Sequence, residues 1–250
     1  MCGIAGVSLK KTNLSFQKKF SKVFDYLKHR GPDGKGAFRK KNVELLHTRL
    51  SIVDLEGGAQ PIINDGVVLI ANGEIYNDLN LRNKIKKYKY KTNSDSESII
   101  AVYKEDGIEG FKRLRGMYSF SLFDVKKGIT LIGRDVFGIK PLYFSIFEEG
   151  IIYSSEMQSI KKLKIQNNDL SHFKLQEYFQ LQYCSGKKTI YNNIQRVRPG
   201  ETIVIEDGKI IKSQLERLPT RKKNKKINDE YIFDKIKESV FVHLRSDVPY

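Results

Sequence analysis

The chain has 250 residues and a formal net charge of +16. A chain of this length can bury a large hydrophobic core. Its longest apolar runs fall well short of the roughly 18–20 residues that span a bilayer, and its N-terminus lacks the basic and apolar regions of a secretory signal. The two cysteines, Cys2 and Cys184, and the four histidines form neither a disulfide framework nor a metal-ligand spacing. These features predict a reduced, cytoplasmic protein without a metal site.

The positive charge can indicate binding to nucleic acid or to a membrane surface. Here the lysines are mostly dispersed along the chain, and the one dense basic run, residues 221–226, has few aromatic neighbours that could stack on bases. No nucleic-acid recognition motif is present. We therefore expect neither a nucleic-acid partner nor a membrane partner.

The first six residues, Met1-Cys2-Gly3-Ile4-Ala5-Gly6, carry the strongest chemical signal. Cys2 is small enough to allow removal of Met1, which would leave a thiol and a free α-amine on one residue. The amine has a pKa near 7.7–8.0 and the thiol one near 8.5, so nucleophile and base would lie together at neutral pH, as in hydrolases that use their N-terminal amine. The alternative is a small buried cysteine at the start of a strand, because free cysteine usually packs as a hydrophobe.

Apolar periodicity predicts the elements of the first third of the chain. Residues 3–9 predict a buried strand, residues 43–46 a short strand, and the continuous apolar run 67–71 a strand buried on both faces. A helix from about residue 15, ending at the Gly-Pro pair of residues 31–32, is predicted by apolar residues at helical spacing. That stripe consists of Phe16, Phe20, Val23, Phe24 and Leu27.

The middle of the chain predicts a short helix over residues 78–86 and, from alternating charged and aromatic residues, a half-exposed strand over residues 87–91. Ser94 or Asp95 is expected to cap the next helix. Hairpins are predicted around residues 126–128, 148–150 and 207–208, and a further helix over residues 171–183. Sequential hairpins favour antiparallel sheets, so we expect an α+β fold in which two sheets face each other and helices cover their outer faces.

The composition changes after residue 215. Residues 216–227 are polar and basic, which predicts a linker between a first domain at 2–215 and a second region at 228–250. Asn228 or Asp229 is expected to cap a helix in that region, and its apolar stripe is formed by Ile232, Ile236, Val240 and Leu244. This stripe needs a partner, so residues 228–250 are expected to begin a truncated second domain.

Polar residues follow the apolar run 67–71 directly. A thiol that attacks an amide needs hydrogen-bond donors for the oxyanion, and the Asn72 side chain with the Gly73 N–H is suited to that role. An α-amino-acid substrate needs a cation for its carboxylate, which Arg49 can supply, and anions for its ammonium, which Glu74 and Asp95 can supply. Taken singly, each charged residue is more often an ordinary surface or capping group.

Several further motifs lie in order along residues 2–215 and carry a family resemblance. They are His29-Arg30-Gly31-Pro32-Asp33-Gly34, Arg49-Leu50-Ser51-Ile52-Val53-Asp54, Asn72-Gly73-Glu74-Ile75-Tyr76-Asn77, Ser94-Asp95, Gly133-Arg134-Asp135-Val136-Phe137-Gly138-Ile139-Lys140-Pro141-Leu142-Tyr143, Tyr153-Ser154-Ser155-Glu156-Met157 and Arg198-Pro199-Gly200. With the N-terminal Met1–Gly6 run, they resemble the N-terminal glutaminase domain of glutamine-dependent asparagine synthetases. This domain is a class II glutamine amidotransferase of the N-terminal-nucleophile (Ntn) hydrolase superfamily.

The resemblance implies a four-layer αββα sandwich and a role for each matching residue. Cys2 would be the nucleophile, and Asn72 with Gly73 would form the oxyanion hole. Glutamine would be held by Arg49, Glu74, Asp95 and the backbone around Ile52 and Val53. Residues 246–250 are similar to the segment that precedes the ATP-pyrophosphatase loop of the family's synthetase domain.

The resemblance also implies the reaction and its partners. Glutamine hydrolysis would supply ammonia for the ATP-dependent conversion of aspartate to asparagine in a full-length enzyme. ATP and Mg²⁺ would belong to the absent synthetase domain, so no cofactor is expected in this chain, and a homodimer is among the assemblies allowed. Two alternatives stay open: a related amidotransferase with another ammonia acceptor, and a non-catalytic remnant.

Overall fold

The computed structural model describes residues 1–167, 169–216 and 228–249. In these ranges the strands are β1 (Gly3–Leu9), β2 (Gly34–Lys40), β3 (Val43–Arg49), β4 (Ile62–Asn64), β5 (Val67–Ile75), β6 (Gly116–Asp124), β7 (Ile129–Arg134), β8 (Tyr143–Phe147), β9 (Gly150–Ser154), β10 (Gln195–Arg196), β11 (Glu201–Glu206) and β12 (Lys209–Leu215). The α-helices are α1 (Leu14–Phe20), α2 (Val23–Leu27), α3 (Asp78–Lys84), α4 (Glu97–Asp106), α5 (Met157–Lys162), α6 (His172–Leu181) and α7 (Asp229–His243), and 3₁₀ turns cover Lys28–Arg30 and Gly107–Arg113.

The strands form two six-stranded sheets. Their orders are β10-β8-β9-β1-β3-β2 and β12-β11-β7-β6-β5-β4, and every pairing between these strands is antiparallel. The predicted hairpins are present as β6–β7, β8–β9 and β11–β12. The antiparallel α+β architecture expected from the sequence is therefore confirmed.

Three separate apolar clusters show how the layers stack. The cluster between the two sheets includes Ile4, Leu45, Ile70, Ile132 and Tyr153. The cluster that joins the first sheet to α1, α2 and α5 includes Ala5, Phe20, Leu27, Leu46 and Ile160. The cluster that joins the second sheet to α3 and α4 includes Leu69, Ala71, Leu81, Ile99 and Val102. Helix, sheet, sheet and helix thus form four layers, as predicted.

Strand alternation assigns neighbouring residues to different layers. On β1, Ile4 faces the middle cluster and Ala5 the outer one. On β5, Ile70 faces the middle cluster and Ala71 the outer one. Both strands are buried on both faces, which explains their continuous apolar sequences. A polar contact also bridges the sheets, because Nε2 of the buried His47 donates to the Ala71 carbonyl at 3.2 Å.

The single helix predicted from about residue 15 to the Gly-Pro pair of residues 31–32 is instead two helices, α1 and α2, followed by a 3₁₀ turn. The break falls at Ser21, whose hydroxyl donates to the Lys18 carbonyl at 2.7 Å. A serine side chain that bonds its own backbone competes with helix propagation. The apolar stripe nevertheless stays on one side, because Phe16, Phe20 and Leu27 all enter the same cluster.

The strand predicted over residues 87–91 is wrong. This segment is irregular, and its backbone is held by the buried Glu97 carboxylate, which accepts N–H bonds from Lys91 and Thr92. The two tyrosines turn inward, since the Tyr88 hydroxyl donates to Glu97 and the Tyr90 hydroxyl bonds the Ser98 hydroxyl. The alternation of charged and aromatic residues therefore reflects two tyrosine side chains held by hydrogen bonds, and it does not mark a strand.

The capping role predicted for Ser94 or Asp95 is also wrong. Helix α4 begins at Glu97 after Ser96, and no side chain makes a capping hydrogen bond at its N-terminus. The Asp95 carboxylate instead accepts the Ile75 N–H at 2.5 Å. The end of β5 is thereby joined to the start of α4.

The region after β12 is described only in part. The predicted linker lies, apart from Glu216, outside the described residues, so the domain boundaries stay predictions. Helix α7 follows Asn228, whose side chain accepts the Tyr231 N–H at 3.0 Å as expected of a cap. The apolar stripe on α7 is exposed over Ile232, Ile236, Val240 and Leu244.

Candidate active site

A cleft of about 550 Å³, measured with its open mouth, lies where β1 begins and where β3 and β5 end. All of the residues that the sequence singled out line it, although they come from four separate stretches of chain. They are Cys2, Arg49, Ile52, Val53, Asn72, Gly73, Glu74 and Asp95.

The Cys2 thiol lies just before β1, at the base of this cleft. Its Sγ lies 3.4 Å from the Leu50 nitrogen and 3.5 Å from the Leu50 oxygen. The backbone of Cys2 is fixed as well, because Nε of Arg30 donates to the Cys2 carbonyl at 3.0 Å and Nη1 of Arg30 pairs with Glu156. The nucleophile is therefore held at a defined position at the N-terminal end of β1, an interior strand of the first sheet.

The raised pKa of the Cys2 thiol means that the thiol needs a base to become a thiolate. Burial raises the pKa of the Cys2 thiol, while its Leu50 hydrogen bond, the terminal amine and the Arg49 and Lys140 cations act to lower it. Burial also lowers the pKa of the terminal amine, here that of Met1. Removal of Met1 would place the free α-amine on Cys2 itself, next to the thiol, as an amine-assisted nucleophile needs.

Asn72 and Gly73 occupy the end of β5 on the opposite sheet. The Asn72 side chain is buried, yet its Nδ2 has no hydrogen-bond partner among the described residues. A buried donor without an acceptor is costly, so this amide is free to donate to a bound group. Gly73 has φ of +152°, and a Cβ there would lie 2.0 Å from the Met117 carbonyl oxygen, so no other residue fits.

Arg49 ends β3 and directs its guanidinium into the loop that follows. Nη1 donates to the Leu55 carbonyl at 3.0 Å, and Nη2 donates to the Asp54 carbonyl at 2.5 Å and the Val53 carbonyl at 3.4 Å. The predicted clamp is thus already occupied by the loop that carries Ile52 and Val53. A carboxylate held by two N–H groups of Arg49 would take the place of one of these carbonyls.

Two neighbouring acidic residues, Glu74 and Asp95, form an acidic wall of the cleft. Burial raises the pKa of Glu74, although Lys140 and His243 act to lower it. Burial raises the pKa of Asp95 to about 6, against the opposing effect of the Ile75 hydrogen bond. The cleft is therefore lined by the Arg49 and Lys140 cations, by two carboxyl groups and by the Cys2 thiol. It can hold a zwitterionic amino acid with a carbonyl group presented to sulfur.

Comparison with known families agrees with this geometry. The profile of the family described as "Glutamine amidotransferase domain" matches residues 1–216. The chain belongs to this family.

Curated relatives of the amidotransferase domain carry a more specific name. The chain is 34% identical over 264 residues to "Asparagine synthetase [glutamine-hydrolyzing] 1" of Bacillus subtilis (strain 168), with 100% of this chain and 41% of that protein covered. It is 44% identical over 165 residues to "Asparagine synthetase B [glutamine-hydrolyzing]" of Escherichia coli (strain K12), with 64% of this chain and 30% of that protein covered. The chain thus spans less than half the length of these two relatives.

Solved structures support the fold. Glutamine phosphoribosylpyrophosphate amidotransferase from B. subtilis superposes with a TM-score of 0.61 at 19% identity, covering 86% of this chain and 49% of that chain. This likeness supports the four-layer sandwich fold of the amidotransferase domain.

The sequence missed three residues that shape the site of the amidotransferase domain. Lys140 is buried and lines the cleft, and burial lowers the pKa of its ammonium while Glu74 and Cys2 raise it. Gln60 also lines the cleft and accepts the Ala71 N–H at 2.6 Å through its side chain. Arg30 fixes the backbone of Cys2 by its hydrogen bond to the Cys2 carbonyl. The one available signal was a lysine set among apolar residues at 139–142.

No group of three or more His, Cys, Asp or Glu side chains in the described ranges is arranged to hold a metal ion. The expectation that the amidotransferase domain uses no cofactor stays a prediction. Among the helices of the described residues, none is long and apolar enough to cross a membrane.

Proposed function

We propose that this chain hydrolyses the side-chain amide of glutamine, with Cys2 as the nucleophile. The observation that carries the proposal is the unpartnered Nδ2 of Asn72 in the same cleft as the Cys2 thiol. A thiol alone would suit many roles, but a thiol with a buried, vacant amide donor is suited to acyl transfer. The gathering of these residues in one cleft argues against a non-catalytic remnant.

The reaction would proceed through a thioester. With Met1 removed, the Cys2 amine accepts the thiol proton, and the sulfur attacks the carboxamide carbon of glutamine. Asn72 and the Gly73 N–H stabilise the oxyanion. The protonated amine then donates its proton to the leaving nitrogen, which departs as ammonia when the C–N bond breaks. Water hydrolyses the γ-glutamyl thioester to glutamate and restores the thiol.

The rest of the cleft would bind the amino-acid end of glutamine. Arg49 would pair with the α-carboxylate, and Glu74 with Asp95 would pair with the α-ammonium. Ile52 and Val53 line the same cleft. Holding both ends places the side-chain amide toward Cys2.

In a longer protein, we propose that the ammonia is used to convert aspartate to asparagine with ATP. The support is the name that the curated relatives share, glutamine-hydrolysing asparagine synthetase. ATP and Mg²⁺ would bind a synthetase domain beyond the residues present here, and that domain would also be the partner of α7. A cytoplasmic location and a homodimer also stay proposals.

The direct test is to incubate the purified chain with glutamine and to measure glutamate and ammonia. We expect the two products in equal amounts, and we expect intact mass spectrometry to show a species lighter by one methionine. Absence of glutamate release would reject the function. An active protein that retains Met1 would reject the amine as the base.

The pKa of Asp95 predicts how glutamine binding depends on pH. Because the pKa is raised to about 6, the carboxyl group is neutral below that pH and cannot pair with the substrate ammonium. The dissociation constant of glutamine should therefore rise by up to about tenfold for each pH unit below 6. Calorimetric titration of Cys2→Ala, which binds without turnover, measures this directly.

The matched variant is Asp95→Asn, which removes the titrating group and keeps its shape. It should bind glutamine weakly and show only the pH dependence that Glu74 contributes. A dissociation constant that is constant between pH 5 and 7 in the parent would contradict the role given to Asp95.

A further inference from the structure

The last described residues return to the glutamine cleft from outside. The Asp247 N–H donates to the Ile52 carbonyl at 2.9 Å, and Oδ2 of Asp247 accepts the Asp54 N–H at 2.7 Å. The Ser246 hydroxyl donates to the Val248 carbonyl and accepts the Val248 N–H, so a local turn presents Asp247 to the loop. A segment 193 residues away in sequence thus bonds the same loop that Arg49 bonds from within.

A neighbouring residue, Arg245, pairs with a buried carboxylate whose charge acts on Asp95. Nη1 of Arg245 lies 2.6 Å from Oδ2 of Asp78, a carboxylate with 0% exposure. The other oxygen of Asp78 is bonded by Arg82 and by the Ser98 hydroxyl. Asp78 is close enough to Asp95 for its charge to act on it, and Arg245 opposes that effect.

The loop over residues 52–55 has little apolar anchoring of its own. Leu55 is 44% exposed, and Asp54 adopts a left-handed backbone with φ of +55°. The loop is held largely by polar contacts, which include the Gly58 N–H bond to the Asp54 carbonyl at 2.8 Å and those of Arg49 and Asp247. Removing one anchor would let the loop sample other positions, and ordering it again would cost binding free energy.

We propose that Asp247 and Arg245 are positioning residues for glutamine, so that the segment of residues 245–248 holds the two walls of the cleft in their binding geometry. The inference rests on the proposed glutaminase function. Asp247 acts through the loop of Ile52 and Val53, and Arg245 acts through Asp78 on the Asp95 wall. Neither residue touches the substrate.

The test is steady-state glutaminase kinetics of Asp247→Ala in the full 250-residue chain. Because Asp247 is exposed and water competes for its bonds, we expect KM for glutamine to rise about fivefold, with kcat within about twofold of the parent. Arg245→Ala should raise KM in the same direction. Asp247→Asn keeps an acceptor for the Asp54 N–H and should recover most of the affinity.

The matched control is Asp234→Ala, which removes one exposed carboxylate from α7. It should leave KM and kcat at their parent values. Alkylation of Cys2 by iodoacetamide, a small reagent that needs no ordered loop, should proceed at the same rate in every variant.

The outcomes are distinct. If the parent chain releases no glutamate, the proposed function fails before the inference is tested. If the parent is active and KM is unchanged in Asp247→Ala, the inference is overturned. A fall in kcat, alkylation rate and melting temperature together would mean that Asp247 only supports folding, and this result would also overturn the inference.

Discussion

Replacing Cys2 with alanine is expected to lower kcat for glutamine hydrolysis by at least about a thousandfold, because the reaction loses its nucleophile. The fold should survive. Within the described ranges, the thiol makes hydrogen bonds only with the backbone of Leu50, and loss of a weak contact of this kind costs about 1 kcal/mol or less. Glutamate release and thermal unfolding of the two proteins measure both effects.

The chain supplies its own control for this substitution. Cys184, the other cysteine, is buried, and its Sγ donates to the Lys174 carbonyl at 3.7 Å, away from the cleft. Cys184→Ala should keep parental activity. Substantial turnover by Cys2→Ala would show that a different group attacks the amide.

Replacing Asn72 with alanine is expected to lower kcat by about 100- to 1000-fold, the usual loss for one oxyanion donor. KM should change much less, because the oxyanion exists only after attack by sulfur. Since Nδ2 has no partner among the described residues, its removal breaks no hydrogen bond between those residues. The free energy of unfolding should therefore stay close to that of the parent.

Ser119 offers the matched control, because it lies directly opposite Asn72 on β6 and its hydroxyl is also buried without a partner among the described residues. Ser119→Ala should leave kcat near the parental value, since Ser119 does not line the cleft. A rise in KM at constant kcat in Asn72→Ala would instead assign Asn72 to substrate binding.

The sequence predicted the buried strands β1, β3 and β5 and the three hairpins because their signal is local. An apolar run such as residues 67–71 has few other uses, and the Asp207-Gly208 turn fixes the last hairpin by its own backbone preference. Local signals were ambiguous where one side chain supplied a tertiary contact. The Glu97 carboxylate accepts the backbone N–H groups of residues 91–92. The Asp95 carboxylate accepts the Ile75 N–H instead of capping a helix.

The site was predictable because its chemistry needs particular residue types next to particular strands. Cys2 and Asn72 could be assigned roles from reactivity alone, and the family resemblance added Ile52 and Val53, whose side chains carry no chemical signal. Lys140 and Arg30 could not be found in this way. The apolar neighbours of Lys140 are compatible with a buried lysine, but they do not show that it enters the cleft. The local sequence of Arg30 does not show that it bonds the Cys2 carbonyl.

The location of the cleft across two sheets has a consequence for mutations far from it. Cys2 precedes β1 on one sheet and Asn72 lies on β5 of the other, so the thickness of the middle apolar cluster sets the gap between sulfur and the oxyanion donor. That cluster is a spacer as well as a core. Folding tolerates small changes of side-chain volume there, whereas a shift of about 1 Å between reacting groups can cost about 100-fold in rate. Changes of side-chain volume at residues such as Ile4 and Ile70 should therefore lower the rate of glutamine hydrolysis more than they lower the free energy of unfolding.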